Sequence, residues 1–315
     1  MKSESTWSRL KAEYRSSLKS SDTEEHIDLC FYRPIGFAWA CLFRKLHISP
    51  NAVTIASIFI GVFAGVCMYP TNIWINVLGI FLLIWANSYD SADGQLARLT
   101  KQYSQLGRIL DGMAGDFWFI AIYVAICLRS VETIPYFASH HWAIWCLAVL
   151  AGICHAAQAA VADSYRQFHL LLLKGSAGSE LDSTEELLRR YSELTWKHNF
   201  WRKLVQFFYV RYTRNQEAVS PAMQTVLHSM KRRFSDGRLP EGIREQFRAW
   251  SFPLCKWENF MTFNWRAIFL FVTLLAGYPW LYFVAELTVF NIVLVYTIVR
   301  HESICRRMET VLEDA

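Results

Sequence analysis

Within the stretch Asp90–Asp116 (DSADGQLARLTKQYSQLGRILDGMAGD), the residues Asp90, Asp93, Gly94, Ala97 and Arg98 fall at i, i+3, i+4, i+7 and i+8. On a helix this spacing sets two carboxylates, two small residues and a guanidinium on one face. Gly107 and Asp111 repeat at i, i+4 on the next segment, and Asp116 closes the stretch. Such a cluster can hold hard divalent cations on carboxylate oxygens beside a phosphate steadied by the arginine. Its setting sharpens the point. The apolar runs Ile73–Ala86 and Phe117–Leu128 flank it, and ionisable groups at membrane depth are costly enough to imply function by default.

The elements that must position these groups are apolar helices. The chain has 315 residues, 53% of them hydrophobic, gathered in long blocks that approach the roughly 20 residues needed to span a bilayer. The first twenty residues are polar with no apolar h-region, so no cleavable signal peptide is expected. The net charge of +5 is better read through loop asymmetry than as a nucleic-acid footprint, and no nucleic acid is expected as a partner. The eight cysteines show no CxxC and no regular spacing. They imply neither a disulfide framework nor a zinc site.

The expected fold is an all-α membrane protein with six transmembrane helices, an N-terminal interfacial amphipathic helix and a cytoplasmic helical insertion between spans 4 and 5. The spans are expected at about 51–69, 73–89, 109–128, 142–162, 266–278 and 280–299. Gly61 and Gly65 form a GxxxG in the first, which favours close helix contact. Residues 1–48 are expected to form cytoplasmic and interfacial helices, 49–173 the core with spans 1–4, 174–262 the insertion, and 263–315 spans 5–6 with the tail. Lys and Arg are sparse in the 70–72, 129–141 and 277–280 connections and frequent at 44–45, 98–108, 166–265 and 300–307. By the positive-inside rule, both termini and the acidic stretch face the cytoplasm of a multi-pass protein. Most tryptophans (74, 85, 118, 142, 145, 265, 280) fall near span ends, as in an aromatic belt.

The segment 174–258 holds 15 Lys/Arg and 10 Asp/Glu, 15 − 10 = +5. Ser183-Thr184-Glu185-Glu186 reads as a helix N-cap with acids in the first turn. Ser220-Pro221 starts another helix, and Gly237 is expected to end it. Trp196, Phe200, Trp201, Phe207, Phe208 and Tyr209 are too apolar for a floating loop. Two or three helices on the cytoplasmic face are expected, either with cations toward anionic lipid or as a plain packing cap.

The acidic stretch resembles the signature of the CDP-alcohol phosphotransferases (CDP-alcohol phosphatidyltransferases), integral-membrane enzymes of phospholipid synthesis: D-x2-D-G-x2-A-R-x8-G-x3-D-x3-D. Asp90, Asp93, Gly94, Ala97, Arg98, Gly107 and Asp111 stand in register, and Ser49-Pro50-Asn51-x-x-Thr54 is similar to the family's usual lead-in. The resemblance covers roughly residues 31–166. It implies transfer of a phosphatidyl or phospho-alcohol group from a CDP-linked lipid or CDP-alcohol donor to an alcohol or lipid acceptor, with release of CMP. It further implies Mg²⁺ or Mn²⁺, two ions, held by Asp90, Asp93, Asp111 and Asp116, with Asp116 and Asp111 catalytic. Gly94, Ala97, Arg98, Gly107 and, more distantly, Asn51 and Thr54 would line the nucleotide. Membrane lipids and a homodimer partner are also implied.

One position departs. The fourth aspartate of the pattern falls on Gly115, and Asp116 stands one residue late. On a regular helix i+4 lies about 40° from i, but i+5 lies about 140° away. A one-residue π-bulge in GMAGD would turn Asp116 back toward the metals. Without the bulge, the base is another group or the chain is a catalytically inactive relative, a membrane scaffold or lipid-binding protein. A transporter fits less well, because the acids gather at one membrane face.

His155, Gln158, Asp163 and Arg166 roughly share a face. They form either an acceptor pocket with Arg166 on a phosphate or carboxylate, or an interhelical polar network. Glu286 reads as an interfacial or helix-pairing carboxylate.

Overall fold

The computed structural model describes residues 6–18, 22–175, 184–197, 199–234 and 239–314. Every regular element among them is helical. The expected N-cap residue Ser183 and terminator Gly237 lie outside these residues. Five described helices are long and apolar enough to cross a membrane: Pro50–Met68, Ile73–Thr100, Leu110–Thr133, His141–Lys174 and Leu281–Asp314. The fifth expected span, 266–278, corresponds to a helix of 13 residues, Phe263–Leu275. At 1.5 Å per residue it reaches about 20 Å, short of a hydrocarbon core about 30 Å thick.

The chain divides into two compact units. The first comprises Met1–Gly152 and Phe263–Ala285, the second Ile153–Thr262 and Glu286–Ala315.

The first unit is built on α3 (Pro50–Met68), α4 (Ile73–Thr100) and α5 (Gln105–Thr133). Ser49 caps α3 through Ala52 N, with Pro50 in the first turn where its missing N–H costs nothing. Asn72 caps α4 through Trp74 N and Ile75 N. Small residues let the three backbones close up, as the GxxxG implied. A Cβ on Gly61 would run into the Trp118 ring, and one on Gly65 would sit 2.9 Å from the backbone of Ala121. Trp118 fills the hollow over Gly61, is 2% exposed, and donates its indole N–H to Ser57 O at 3.0 Å. The belt position expected for Trp118 is therefore corrected: the indole belongs to the helix interface, because Gly61 leaves it room and Ser57 O takes its N–H. Trp74 and Trp142 remain exposed at 78% and 67%. At the far end Arg129 is buried and donates to Met68 O, Pro70 O and Asn76 Oδ1, closing the orphan carbonyls at the end of α3.

Two N-terminal helices pack on this core. They are α1 (Thr6–Ser17) and α2 (Arg33–Lys45), the latter entered through a π-turn at Asp28–Tyr32. Gly36, Phe37, Ala40 and Phe43 form the buried face of α2, whereas Leu42 and Leu46 are exposed. Asn264 on α12 (Phe263–Leu275), numbered after the helices described below, donates to Glu25 Oε2 and Asp28 Oδ1. The short helices α6 (Pro135–Ser139) and α13 (Leu281–Ala285) also belong to this unit.

In the second unit the C-terminal part of α7 (His141–Lys174) packs with α10 (Pro221–Arg233), α11 (Glu241–Phe260) and α14 (Asn291–Asp314). Tyr165, Phe168, Leu172, Met223, Val226, Phe247, Met308 and Leu312 are core members. The ring of Tyr165 stacks on His301 at 3.6 Å, and its hydroxyl meets Ser220 Oγ at 2.7 Å. The remaining helices, α8 (Thr184–Glu193) and α9 (Phe200–Val219), form a hairpin. A π-turn at Glu286–Phe290 precedes α14. The carbonyls it frees find side-chain amides: Gln158 Nε2 donates to Glu286 O at 3.0 Å, and Asn291 Nδ2 to Leu287 O at 3.1 Å. His155 Nδ1 lies 3.3 Å from Glu286 Oε1, and Glu286 is fully buried. Of the two readings of His155 and Gln158, the interhelical network is the one these contacts describe. Glu286 pairs helices.

Candidate active site

α4 ends at Lys101, whose left-handed backbone (φ 56°) turns the chain. α5 begins after Ser104, whose hydroxyl accepts from Gly107 N. The short connection sets the last turns of α4 beside the first turns of α5. There Asp90, Asp93 and Asp111 each present a carboxylate oxygen, all within 4.8 Å of one another. Their exposure is graded: Asp93 is 3% exposed, Asp90 is half-buried and Asp111 is exposed. Three carboxylates this close repel one another strongly at neutral pH unless protons or cations lie among them. The hydroxyl of Thr54, itself buried, donates to Asp93 Oδ2 and fixes that carboxylate. Asp90 Oδ1 is buried with no hydrogen-bond partner among the described residues. An orphaned carboxylate oxygen within an all-oxygen donor set fits Mg²⁺ or Mn²⁺ and is hard to justify as packing alone.

The small residues divide by cause. Gly107 lies under Asn51: a Cβ there would collide with Asn51 Oδ1, which accepts from Ser104 Oγ at 3.0 Å. Gly94 has no such constraint, because its nearest neighbours are the Arg98 guanidinium nitrogens at an ordinary 3.5 Å. Ala97 is half-buried one turn on. The open surface over Gly94 is therefore not demanded by the chain's own packing.

Arg98 is held from an unforeseen direction. Its Nε donates to Ser17 O at the end of α1. Beside it Gln95 Nε2 donates to Arg33 O (3.2 Å) and Ser17 Oγ (3.4 Å). Arg33 in turn bridges Glu24 Oε2 at 2.9 Å and Ser91 Oγ at 3.2 Å. Sequence reasoning missed Ser17, Gln95 and Arg33, and only the position of Gln95 among the variable places of the signature hinted at its role. The buried Tyr32 phenol, which lies by Asn87, Asp28 and Glu25, is pushed up to about 12, chiefly by desolvation.

Asp116 stands apart. Residues 105–133 form a continuous α-helix with no π-turn, so the bulge expected in GMAGD is absent. Asp116 is exposed and is not a member of the three-carboxylate cluster. The reason is geometric: without the extra residue per turn, Asp116 lies about 140° around the helix from Asp111. Space is available at the signature's own position, since a Cβ on Gly115 would meet nothing within 4 Å. Arg166 belongs to the second unit, where Nη2 lies 3.5 Å from Asp163 Oδ1.

A family model described as CDP-alcohol phosphatidyltransferase matches residues 47–169. Over that segment the chain is similar to a CDP-alcohol phosphatidyltransferase domain. The match encloses Asn51, Thr54, the whole acidic stretch and Arg166. It implies phosphatidyl-type transfer involving a CDP-alcohol, in a protein whose five apolar helices mark it as multi-pass in a membrane. No curated protein matches the chain.

Proposed function

We propose that the protein transfers a phosphatidyl or phospho-alcohol group from a CDP-linked donor to an acceptor hydroxyl, releasing CMP, at a metal-dependent site facing the cytoplasm. The observation that carries this is the convergence of Asp90, Asp93 and Asp111 on one point, with an orphaned oxygen on Asp90. These three carboxylates hold the cations. When bound, Mg²⁺ or Mn²⁺ supplies charge neutralisation for the pyrophosphate of the donor. Thr54 keeps Asp93 turned into the cluster. Gly94 and Ala97 leave α4 bare for the cytidine nucleotide. Arg98 keeps N–H donors beyond the one given to Ser17 O and steadies phosphate with them. Positioning and charge compensation do most of the work in such a transfer.

The proton of the acceptor hydroxyl falls to Asp111, the exposed member of the cluster and the one an incoming alcohol reaches. Asp116 on the straight helix is assigned neither metal binding nor proton transfer.

Gly115 favours a second reading, a relative that binds CDP-lipid without turning it over. Purified protein in nanodiscs, given labelled CDP-diacylglycerol or CDP-amino-alcohols with Mg²⁺ and an acceptor panel, separates the two. CMP release that chelator and Asp93→Asn both abolish supports the enzyme. Donor binding without CMP release for any acceptor supports the second reading.

A further inference from the structure

The α8–α9 hairpin encloses a cavity of about 310 Å³ that the reaction does not use, lined by Leu188, Tyr191, Phe207, Val210, Arg211 and Arg214. The four α9 residues fall at i, i+3, i+4 and i+7, on one face of the helix. The cavity is amphipathic along that face. Leu188, Tyr191, Phe207 and Val210 give it apolar lining, and the exposed Arg211 and Arg214 give it two guanidinium groups. No carboxylate is among the described lining residues. The volume sits at the small end of ligand pockets, enough for a headgroup and the start of a chain.

The height of the hairpin identifies the occupant. Gln216 on α9 donates to Ala160 O of α7 at 2.7 Å. Ala160 is the twentieth residue of a helix that starts at His141, about 30 Å along it, one hydrocarbon thickness from the start. On the expected span 142–162, the hairpin therefore meets α7 near the level where acyl chains give way to headgroups. Its surface suits that level. Trp196 and Phe200 are 46% and 50% exposed, and Lys203 lies over the rings of Tyr191 (4.6 Å) and Trp196 (5.7 Å). Residues 184–219 carry 7 Lys/Arg against 4 Asp/Glu. Aromatic rings with snorkelling cations are the side chains of a bilayer interface.

We infer that this cavity is a binding site for an anionic phospholipid of the surrounding bilayer, its phosphate held by Arg211 and Arg214 and its upper acyl segment against Tyr191 and Phe207. The inference is independent of catalysis, because no residue of the α8–α9 hairpin takes part in the proposed transfer.

The test uses the full chain in nanodiscs carrying a diazirine-bearing phosphatidic acid, followed by photolysis and peptide mapping. Crosslinks are expected on α8 and α9. The pair Arg211→Gln/Arg214→Gln is expected to lower them about tenfold, since each guanidinium–phosphate contact is charge-assisted, whereas Arg211→Lys/Arg214→Lys retains most of the labelling and guards against a folding defect. Unlabelled phosphatidylserine should compete, while phosphatidylcholine and inorganic phosphate should not. Crosslinks mapping away from the hairpin in the unaltered chain, labelling equal in the glutamine pair, equal competition by phosphatidylcholine, or displacement by inorganic phosphate would each overturn the assignment.

Discussion

Gly115→Asp restores the fourth carboxylate of the family signature at i+4 from Asp111, where the chain has open space. The backbone cost is small, since Gly is among the poorest helix formers and Asp only somewhat better, a difference of a few tenths of a kcal/mol. Two carboxylates at i, i+4 on an exposed helix face repel by about 0.2–0.5 kcal/mol. The metal-free variant should therefore be level with the parent in stability, or slightly below it. With metal bound the sign reverses. The new carboxylate stands about 6 Å from its neighbour, and its attraction to a divalent ion at that distance is about 1.4 kcal/mol in water's dielectric, rising severalfold at an effective value of 20. Asp111 is exposed, so the lower figure governs, and Mn²⁺ should bind roughly tenfold more tightly. The assay is Mn²⁺ titration followed by electron paramagnetic resonance, with thermal unfolding with and without metal alongside. CMP release should rise in parallel. Unchanged Mn²⁺ affinity in a folded Gly115→Asp variant would refute the reasoning, because a carboxylate at that position cannot approach bound metal without attracting it.

Thr54→Val keeps shape but removes the hydroxyl on buried Asp93. It should cost about 1–3 kcal/mol, read as weaker Mn²⁺ binding, whereas Thr54→Ser should stay near the parent. Gly61→Ala sets a methyl into the Trp118 ring and should lower stability in detergent by about 1–3 kcal/mol. Gly112→Ala, with nothing within 4 Å of the new methyl, should raise it by up to about 1 kcal/mol. Glu258 in α11 is buried, and desolvation pushes its carboxyl up to about 8 although Arg166 opposes the shift. Between pH 4.5 and 8 the folded state keeps a proton the unfolded state has lost. Stability should then be full below about pH 4.5 and fall as pH rises toward 8, by at most about 5 kcal/mol. Glu258→Gln should flatten that slope in pH-dependent unfolding.

The carboxylates at 90, 93 and 111 were legible because metal chemistry requires particular residue types at helical spacing, and five of the six expected spans were legible because a bilayer demands unbroken apolar length. Helix contact at Gly61 and Gly65 was also foreseeable from small residues. What escaped was set by partners distant in the chain. Trp118 reads as an interfacial tryptophan until Gly61 is seen to make room for it. Arg98 reads as a free phosphate clamp until the Ser17 carbonyl, 81 residues away, accepts a hydrogen bond from its Nε. The π-turn was expected at 111–116, on the strength of an offset aspartate. Among the described residues π-turns lie at 28–32 and 286–290, the latter where Gln158 and Asn291 supply amides to the freed carbonyls. Nothing of that kind stands in the text of GMAGD.

The account rests on Asp90, Asp93 and Asp111 forming one cation site from which Asp116 is excluded. Mn²⁺ titration by electron paramagnetic resonance on the parent and four single Asp→Asn variants tests this most directly. Bound Mn²⁺ should be lost or weakened at least tenfold in Asp90→Asn, Asp93→Asn and Asp111→Asn, and should match the parent in Asp116→Asn. A parent chain that binds no Mn²⁺, or an Asp116→Asn variant that loses it as fully as Asp93→Asn, would contradict the account.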